Sequence, residues 1–63
     1  MKLELTEEII LLAQSDNGGW SEQQFDLIGV DWPPRKGWKS LVIGRKYDYS
    51  TLNEFLMLKN NHF

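Results

Sequence analysis

The chain has 63 residues and a net charge of −2, and 41% of its residues are hydrophobic. This length excludes more than one domain, and the apolar share is too high for a disordered chain. Because the sequence contains no cysteine, a disulfide framework and a cysteine zinc site are also excluded, so a single small domain (residues 1–63) must be stabilised by its core or by self-association.

The N-terminal residues predict a short strand followed by a helix. Residues 2–5 alternate between polar and apolar side chains, which is typical of a strand. Thr6 then offers a side-chain cap for a helix over residues 6–14, and Leu5 has the position from which a hydrophobic staple to Ile10 forms. Four consecutive large aliphatic residues in this helix indicate that it is either central to the core or part of an interface. A turn rich in Asn and Gly ends it.

The second predicted helix runs from Ser21 to Gly29 and is specified at both ends. Ser21 and Gln24 have the spacing of a capping box, and Gly29 suits the left-handed conformation that closes many helices. Trp20 and Phe25 have the spacing of a hydrophobic staple, so both aromatic side chains are predicted to belong to the core.

Residues 31–38 contain two consecutive prolines and predict a loop rather than a regular element. Proline lacks an amide hydrogen and restricts the residue before it, so this Trp-Pro-Pro segment should be stiff and extended. The next residues, 38–43, have apolar side chains at helical spacing, which favours a short helical turn. Val42 and Ile43 are β-branched, however, and leave a strand open as the alternative.

The C-terminal third of the sequence predicts a strand and a last helix. Residues 45–49 alternate again, and Tyr47 and Tyr49 are predicted to share a face with the N-terminal strand in a small two-stranded ribbon. A helix near residues 50–60 follows, and the final residues are expected to fray. The predicted fold is therefore α+β and mostly helical, with three short helices, the Trp-Pro-Pro loop and the ribbon.

The glycine and tryptophan residues in the middle of the chain form a pattern of their own. It consists of Asn17-Gly18-Gly19-Trp20, Ile28-Gly29-Val30, Trp32-Pro33-Pro34, Gly37-Trp38 and Ile43-Gly44. This pattern resembles one in a family of small bacterial and prophage-type proteins of uncharacterised function, and it covers most of residues 17–44. The resemblance implies a mobile-element origin, but it implies no site and no activity.

The residue types of a catalytic or metal site do not come together in the sequence. A metal ion needs three or four converging His, Cys or carboxylate ligands, and the chain has one histidine, no cysteine and scattered acids. That histidine, His62, is next to the last residue, so it is a poor general base for a serine or threonine nucleophile. We therefore expect no enzyme activity, no metal and no cofactor.

One segment combines positive charge with aromatic side chains. Five cations lie within twelve residues that contain no acid, and tryptophans interleave with them. The candidate partner-binding residues are Trp32, Arg35, Lys36, Trp38, Lys39, Arg45 and Lys46. Cations and stacking faces together can bind single-stranded nucleic acid. In the alternative interpretation, both tryptophans pack on the core, and the cations stay solvated or cover the acidic helices of the first half.

Two classes of function are consistent with the sequence. The first is a non-catalytic protein-interaction module, a small regulator or inhibitor that binds another protein through the proline-stiffened loop, because a rigid loop loses little entropy on binding. The second is a nucleic-acid accessory protein that uses the basic segment, residues 32–47. We rank the first higher because the chain is acidic overall and has no nucleic-acid motif. We expect a cytoplasmic location and no membrane partner, since no apolar run approaches about 18 residues.

Overall fold

The computed structural model describes residues 1–60, which form four α-helices and one two-stranded antiparallel sheet. In chain order these are β1 (Lys2–Glu4), α1 (Glu7–Leu12), α2 (Glu22–Ile28), α3 (Trp38–Val42), β2 (Lys46–Asp48) and α4 (Tyr49–Met57), and a short 3-10 helix, Leu58–Asn60, follows α4. The predicted α+β, mostly helical fold is confirmed. Fraying is expected of residues 60–63. Asn60 is the last residue of the 3-10 helix, whereas residues 61–63, and with them the position of His62, lie outside the described residues.

Apolar side chains from every α-helix, together with the residue after β1, form the core. Within a helix, side chains spaced by three or four residues share one face, and this face is the one that is buried. The buried apolar residues are Leu5, Ile10, Ala13, Phe25, Ile28, Val42, Leu52 and Phe55. Leu5 and Ile10 are thus buried in one cluster, as the predicted staple requires.

The first helix begins as predicted and is shorter than predicted. The side-chain oxygen of Thr6 accepts a hydrogen bond from the amide of Ile9 at 3.3 Å, and this bond caps α1. Beyond Leu12 the chain turns, and the amide of Ser15 donates to the carbonyl of Gly19 at 2.8 Å. This turn reverses the chain between α1 and α2.

Both ends of α2 are closed as the sequence predicts. The amide of Ser21 donates to the side-chain oxygen of Gln24 at 2.8 Å, and the amide of Gln24 donates to the hydroxyl of Ser21 at 3.2 Å, which completes the capping box. Gly29 ends the helix with a φ of 80°, and the amide of Val30 donates to the carbonyl of Phe25 at 2.9 Å. The length of α2 and the direction of the chain after it are therefore fixed locally.

β1 and β2 pair in an antiparallel register that places Leu3 opposite Tyr47, which agrees with the predicted ribbon. The predicted place of Tyr49 in the ribbon is wrong, because Tyr49 is the first residue of α4. Leu52 and Phe55 are buried in the core, and their spacing of three residues is that of one helix face. Core packing therefore overrides the local strand alternation at this residue.

The Trp-Pro-Pro segment is irregular between α2 and α3, as predicted, but it is not extended throughout, because residues 32–33 form a bend and residues 36–37 a turn. Its Trp32–Pro33 peptide bond is cis. The alternatives for residues 38–43 are also resolved, since they form the short helix α3 rather than a strand. α3 buries Val42 and leaves Leu41 exposed. Trp38, at the start of α3, packs against the core and is half-buried.

Candidate partner-binding surface

Aromatic rings from α2, α3 and the residues that flank them form one cluster. The rings of Phe25 and Trp38 meet edge to face with centroids 4.8 Å apart, and those of Trp38 and Trp20 do so at 5.1 Å, which is a favourable arrangement for aromatic pairs. Trp38 therefore contributes to core packing. Trp32 lies at the edge of the cluster, with its ring centroid 5.8 Å from that of Phe25, and 52% of its surface is exposed. Of the two candidate tryptophans, Trp32 is the one open to a partner.

Another part of the aromatic cluster is covered by a cation of the same chain. The ammonium nitrogen of Lys39 lies 5.1 Å from the ring centroid of Trp20 and 6.0 Å from that of Trp38. The Trp20 ring is itself fixed, because its indole nitrogen donates to the carbonyl of Ile10 at 2.9 Å. An ammonium group is attracted to the face of an indole ring. Lys39, a candidate binding residue, is thus engaged within the molecule.

The other candidate cations are divided among different surroundings. Lys46 lies opposite Glu4 in the ribbon, a register that sets unlike charges against each other. Arg35 and Arg45 line one groove together, and Lys36 is exposed in the loop before α3. Of the seven candidate residues, Arg35, Trp38 and Arg45 line this groove together. The pairing of Lys46 with Glu4 sets a positive charge from the second half of the chain opposite a negative charge from the first half.

A groove of about 450 Å³ lies beside Trp32. Its lining residues are Glu22, Gln23, Asp26, Val30, Asp31 and Trp32, and we call it the acidic groove. Glu22 and Asp26 are four residues apart and share one face of α2, whereas Asp31 follows the turn that ends the helix. Among the described residues that line the groove, none is basic. The exposed tryptophan thus shares this groove with three carboxylates.

A second groove, of about 250 Å³, adjoins the first, because Val30 and Asp31 line both. Its lining residues are Gly29, Val30, Asp31, Arg35, Trp38, Leu41, Val42 and Arg45, and we call it the mixed groove. Arg35 and Arg45 supply positive charge there, and Leu41 supplies exposed apolar surface. The two grooves therefore present opposite charges side by side.

A buried side chain holds α2, which forms the wall of the acidic groove, against the rest of the molecule. The amide nitrogen of Gln24 donates to the carbonyl of Ala13 at 2.9 Å and to the carbonyl of Phe55 at 3.0 Å. These bonds tie α2 to the end of α1 and to α4. Gln23, the neighbouring residue, lines the groove, so the wall is fixed from behind.

Sequence reasoning missed the acidic groove. It grouped Trp32 with the cations that follow it, whereas the structure groups Trp32 with acids that precede it. Two signals were available in the sequence. Glu22 and Asp26 have the spacing of neighbours on one helix face, and Asp31 is adjacent to Trp32. The sequence does not show that Asp31 and Trp32 lie beside Glu22 and Asp26, because this depends on the direction of the chain after Gly29.

A scan against protein-family models, a search of curated proteins and a search of solved structures found no match to this chain. The resemblance of residues 17–44 to bacterial and prophage-type proteins thus depends on the sequence pattern alone. Within residues 1–60, no group of three or more His, Cys, Asp or Glu side chains is arranged to hold a metal ion. In the same part of the chain, no helix is both long and apolar enough to cross a membrane. The candidate surface is therefore defined by its geometry, which is an exposed tryptophan beside two adjoining grooves.

Proposed function

We propose that this chain is a non-catalytic protein-interaction module, a small regulator or inhibitor of phage or prophage origin. In this proposal, the acidic groove and the mixed groove form the docking surface, and Trp32 is its central side chain. The observation that carries the proposal is that Trp32 is 52% exposed while its ring packs on the buried Phe25. The proposed origin depends on the resemblance of residues 17–44.

An exposed tryptophan that packs on a buried ring has the properties of a residue that dominates the energy of an interface. Tryptophan is enriched among such residues, because it buries a large area and has few rotatable bonds. The Phe25 ring lies 5.8 Å from the Trp32 ring at an interplanar angle of 36°, and Pro33 and Pro34 restrict the backbone that follows. Little conformational entropy is therefore lost when a partner covers Trp32.

A nucleic-acid accessory protein is the competing proposal. It is favoured by Arg35 and Arg45, which lie beside Trp38 in the mixed groove. Carboxylates repel phosphates, however, and three carboxylates line the groove that contains Trp32. Trp38 is half-buried and packed against other rings, so it offers little of its face to a nucleotide base. We therefore rank protein interaction first.

Site-specific photo-cross-linking in cells that carry the chain tests the proposal. A photo-reactive phenylalanine analogue replaces Trp32 in one variant and Leu41, in the mixed groove, in another. We expect both variants to give the same discrete adduct, which protease destroys and nuclease does not. The matched control carries the analogue in place of Asn53, which is exposed on α4, and should give no such adduct.

The outcomes separate the alternatives. An adduct at Trp32 that nuclease destroys would favour the nucleic-acid proposal. An adduct with twice the mass of the chain would identify a second copy as the partner. If the three positions give the same pattern of adducts, the two grooves are not a docking surface and the proposal is wrong.

A further inference from the structure

We infer that the acidic groove binds an arginine side chain of a partner protein, with the guanidinium group stacked on Trp32 and hydrogen-bonded to the surrounding carboxylates. The inference rests on the proposed protein interaction and adds the chemistry of the partner residue. Three points support it, namely the charge of the groove, the exposed Trp32 ring and the donor geometry of a guanidinium group.

The charge of the acidic groove favours a positively charged occupant. Its lining includes three carboxylates, whereas the net charge of the whole chain is only −2, so the groove has a local excess of negative charge. Glu22 and Asp26 extend from α2, and Asp31 extends from the segment after Gly29, so the carboxylates come from two parts of the chain. Complementary charge accelerates the encounter of two proteins and selects the partner residue.

The aromatic cluster uses the same chemistry within the chain. The ammonium group of Lys39 lies 5.1 Å from the ring centroid of Trp20, which is a cation–π contact. Trp32 belongs to the same cluster through Phe25, but it lies on the acidic groove, whose described lining residues include no base. A cation from a partner would occupy at Trp32 the place that Lys39 occupies at Trp20, with three carboxylates in addition.

The chemistry of a guanidinium group suits the acidic groove better than that of a metal ion or an ammonium group. The groove has room for it, with a volume of about 450 Å³, and within residues 1–60 no group of carboxylates is arranged to hold a metal ion. A guanidinium is planar and carries its N–H donors in a rigid fork, so it can stack on Trp32 and bind carboxylates at the same time. An ammonium is compact and strongly hydrated, and we expect it to bind more weakly.

Titration of the full chain with model peptides, followed by NMR, tests the inference. The probe is a terminally blocked pentapeptide with one arginine between glycines, and the reporter is the indole N–H signal of Trp32, assigned by its loss in Trp32→Phe. The arginine peptide should shift this signal and the backbone amides of Asp26 and Asp31. A peptide with citrulline, which keeps the shape and lacks the charge, should bind at least about tenfold more weakly. A lysine peptide should fall between the two.

A pair of charge-matched variants locates the binding in the acidic groove. Asp26→Asn combined with Asp31→Asn should weaken binding of the arginine peptide about tenfold. The control combines Asp16→Asn with Glu54→Gln, which removes the same number of charges from exposed positions outside the groove. The control should bind the peptide as the unmodified chain does. An unchanged dispersion of backbone amide signals shows that both variants are folded.

Equal affinity for the arginine and citrulline peptides, or no response of the Trp32 indole to the arginine peptide, would overturn the inference. A position-specific cross-link from Trp32 to a protein would then still support protein interaction, through a different chemistry. If neither the cross-link nor the arginine-dependent NMR response is observed, both proposals are wrong. A stronger response to oligothymidylate than to the arginine peptide would overturn the inference in favour of nucleic acid. Shifts that depend on protein concentration without peptide would identify a second copy as the occupant, and this too would overturn it.

Discussion

Gln24 is a polar side chain within the core, and it is only 1% exposed. Its amide oxygen accepts from the amide of Ser21 at 2.8 Å, and its amide nitrogen donates to the carbonyls of Ala13 at 2.9 Å and Phe55 at 3.0 Å. A buried amide whose partners are all present specifies one arrangement of the groups around it. One glutamine thus caps α2 and also sets the position of α2 against α1 and α4.

Replacing this side chain should destabilise the fold strongly. Gln24→Ala leaves three buried or partly buried backbone groups without this hydrogen-bond partner, so we expect a loss of about 2 to 4 kcal/mol in the free energy of unfolding. That is most of the roughly 3 to 5 kcal/mol expected for so small a core. Urea unfolding followed by tryptophan fluorescence measures it. Gln23→Ala, at the exposed neighbour, should stay within about 0.5 kcal/mol, and equal effects of the two substitutions would contradict this role.

At the scale of elements, α2 is the part of the fold that the sequence specifies most completely. Its capping box and its terminal glycine act on neighbours in the chain, so residue spacing alone predicts both ends. The start of α4 is different, because strand alternation through Tyr49 and helical spacing to Leu52 overlap in the sequence. Which pattern wins depends on the side chains that the core buries, and residue spacing does not contain that information.

The left-handed ending of α2 gives a prediction for a single glycine. Gly29 has a φ of 80°, a conformation that costs an L-amino acid about 1 to 2 kcal/mol, so Gly29→Ala should destabilise the chain by about 1 kcal/mol. A Cβ atom at Gly29 would have no neighbour within 4 Å, so the cost is conformational and not steric. Thermal unfolding measures the effect as a lower melting temperature.

Gly19→Ala is the matched control for this prediction. A Cβ atom at Gly19 would lie 3.9 Å from the side-chain oxygen of Asn17, an ordinary contact, and Gly19 does not have a positive φ. Alanine there should leave stability unchanged or raise it by up to about 1 kcal/mol, because it restricts the unfolded chain. If both substitutions shift the melting temperature equally, the conformation at Gly29 does not limit the stability of α2.

At the scale of the whole molecule, the fold gives the cations of the basic segment different neighbours. Lys39 covers Trp20, Lys46 lies opposite Glu4, and Trp32 lies in a groove lined by acids from the preceding helix and turn. The sequence leaves open whether Trp32 and Trp38 pack on the core or face a partner, and the structure leaves Trp32 exposed and Trp38 half-buried. The sequence does not predict the charges around Trp32, because those depend on how elements distant in sequence pack together.

The size of the molecule relative to the Debye length determines whether a nucleic acid interacts with its net charge or only with local charges. Its longest dimension is 30 Å, which is similar to the Debye screening length of about 30 Å at about 0.01 M salt. At that salt concentration a polyanion responds to the whole net charge of −2, which repels it. At about 0.15 M salt the Debye length is about 8 Å, so only charges close to the bound strand affect its binding. The two conditions therefore examine the net charge and the local surface separately.

Oligonucleotide titrations at both salt concentrations should show no saturable binding, because the net charge is negative and three carboxylates line the groove that contains Trp32. Fluorescence anisotropy of labelled single-stranded and double-stranded oligonucleotides measures this. Glu22→Lys combined with Asp26→Lys serves as a positive control, since it places cations beside the same ring and should create weak, salt-sensitive binding to single strands. Saturable binding by the unmodified chain, with a log-log salt slope of about −2 to −4 on single strands, would reverse the ranking of the two proposed functions.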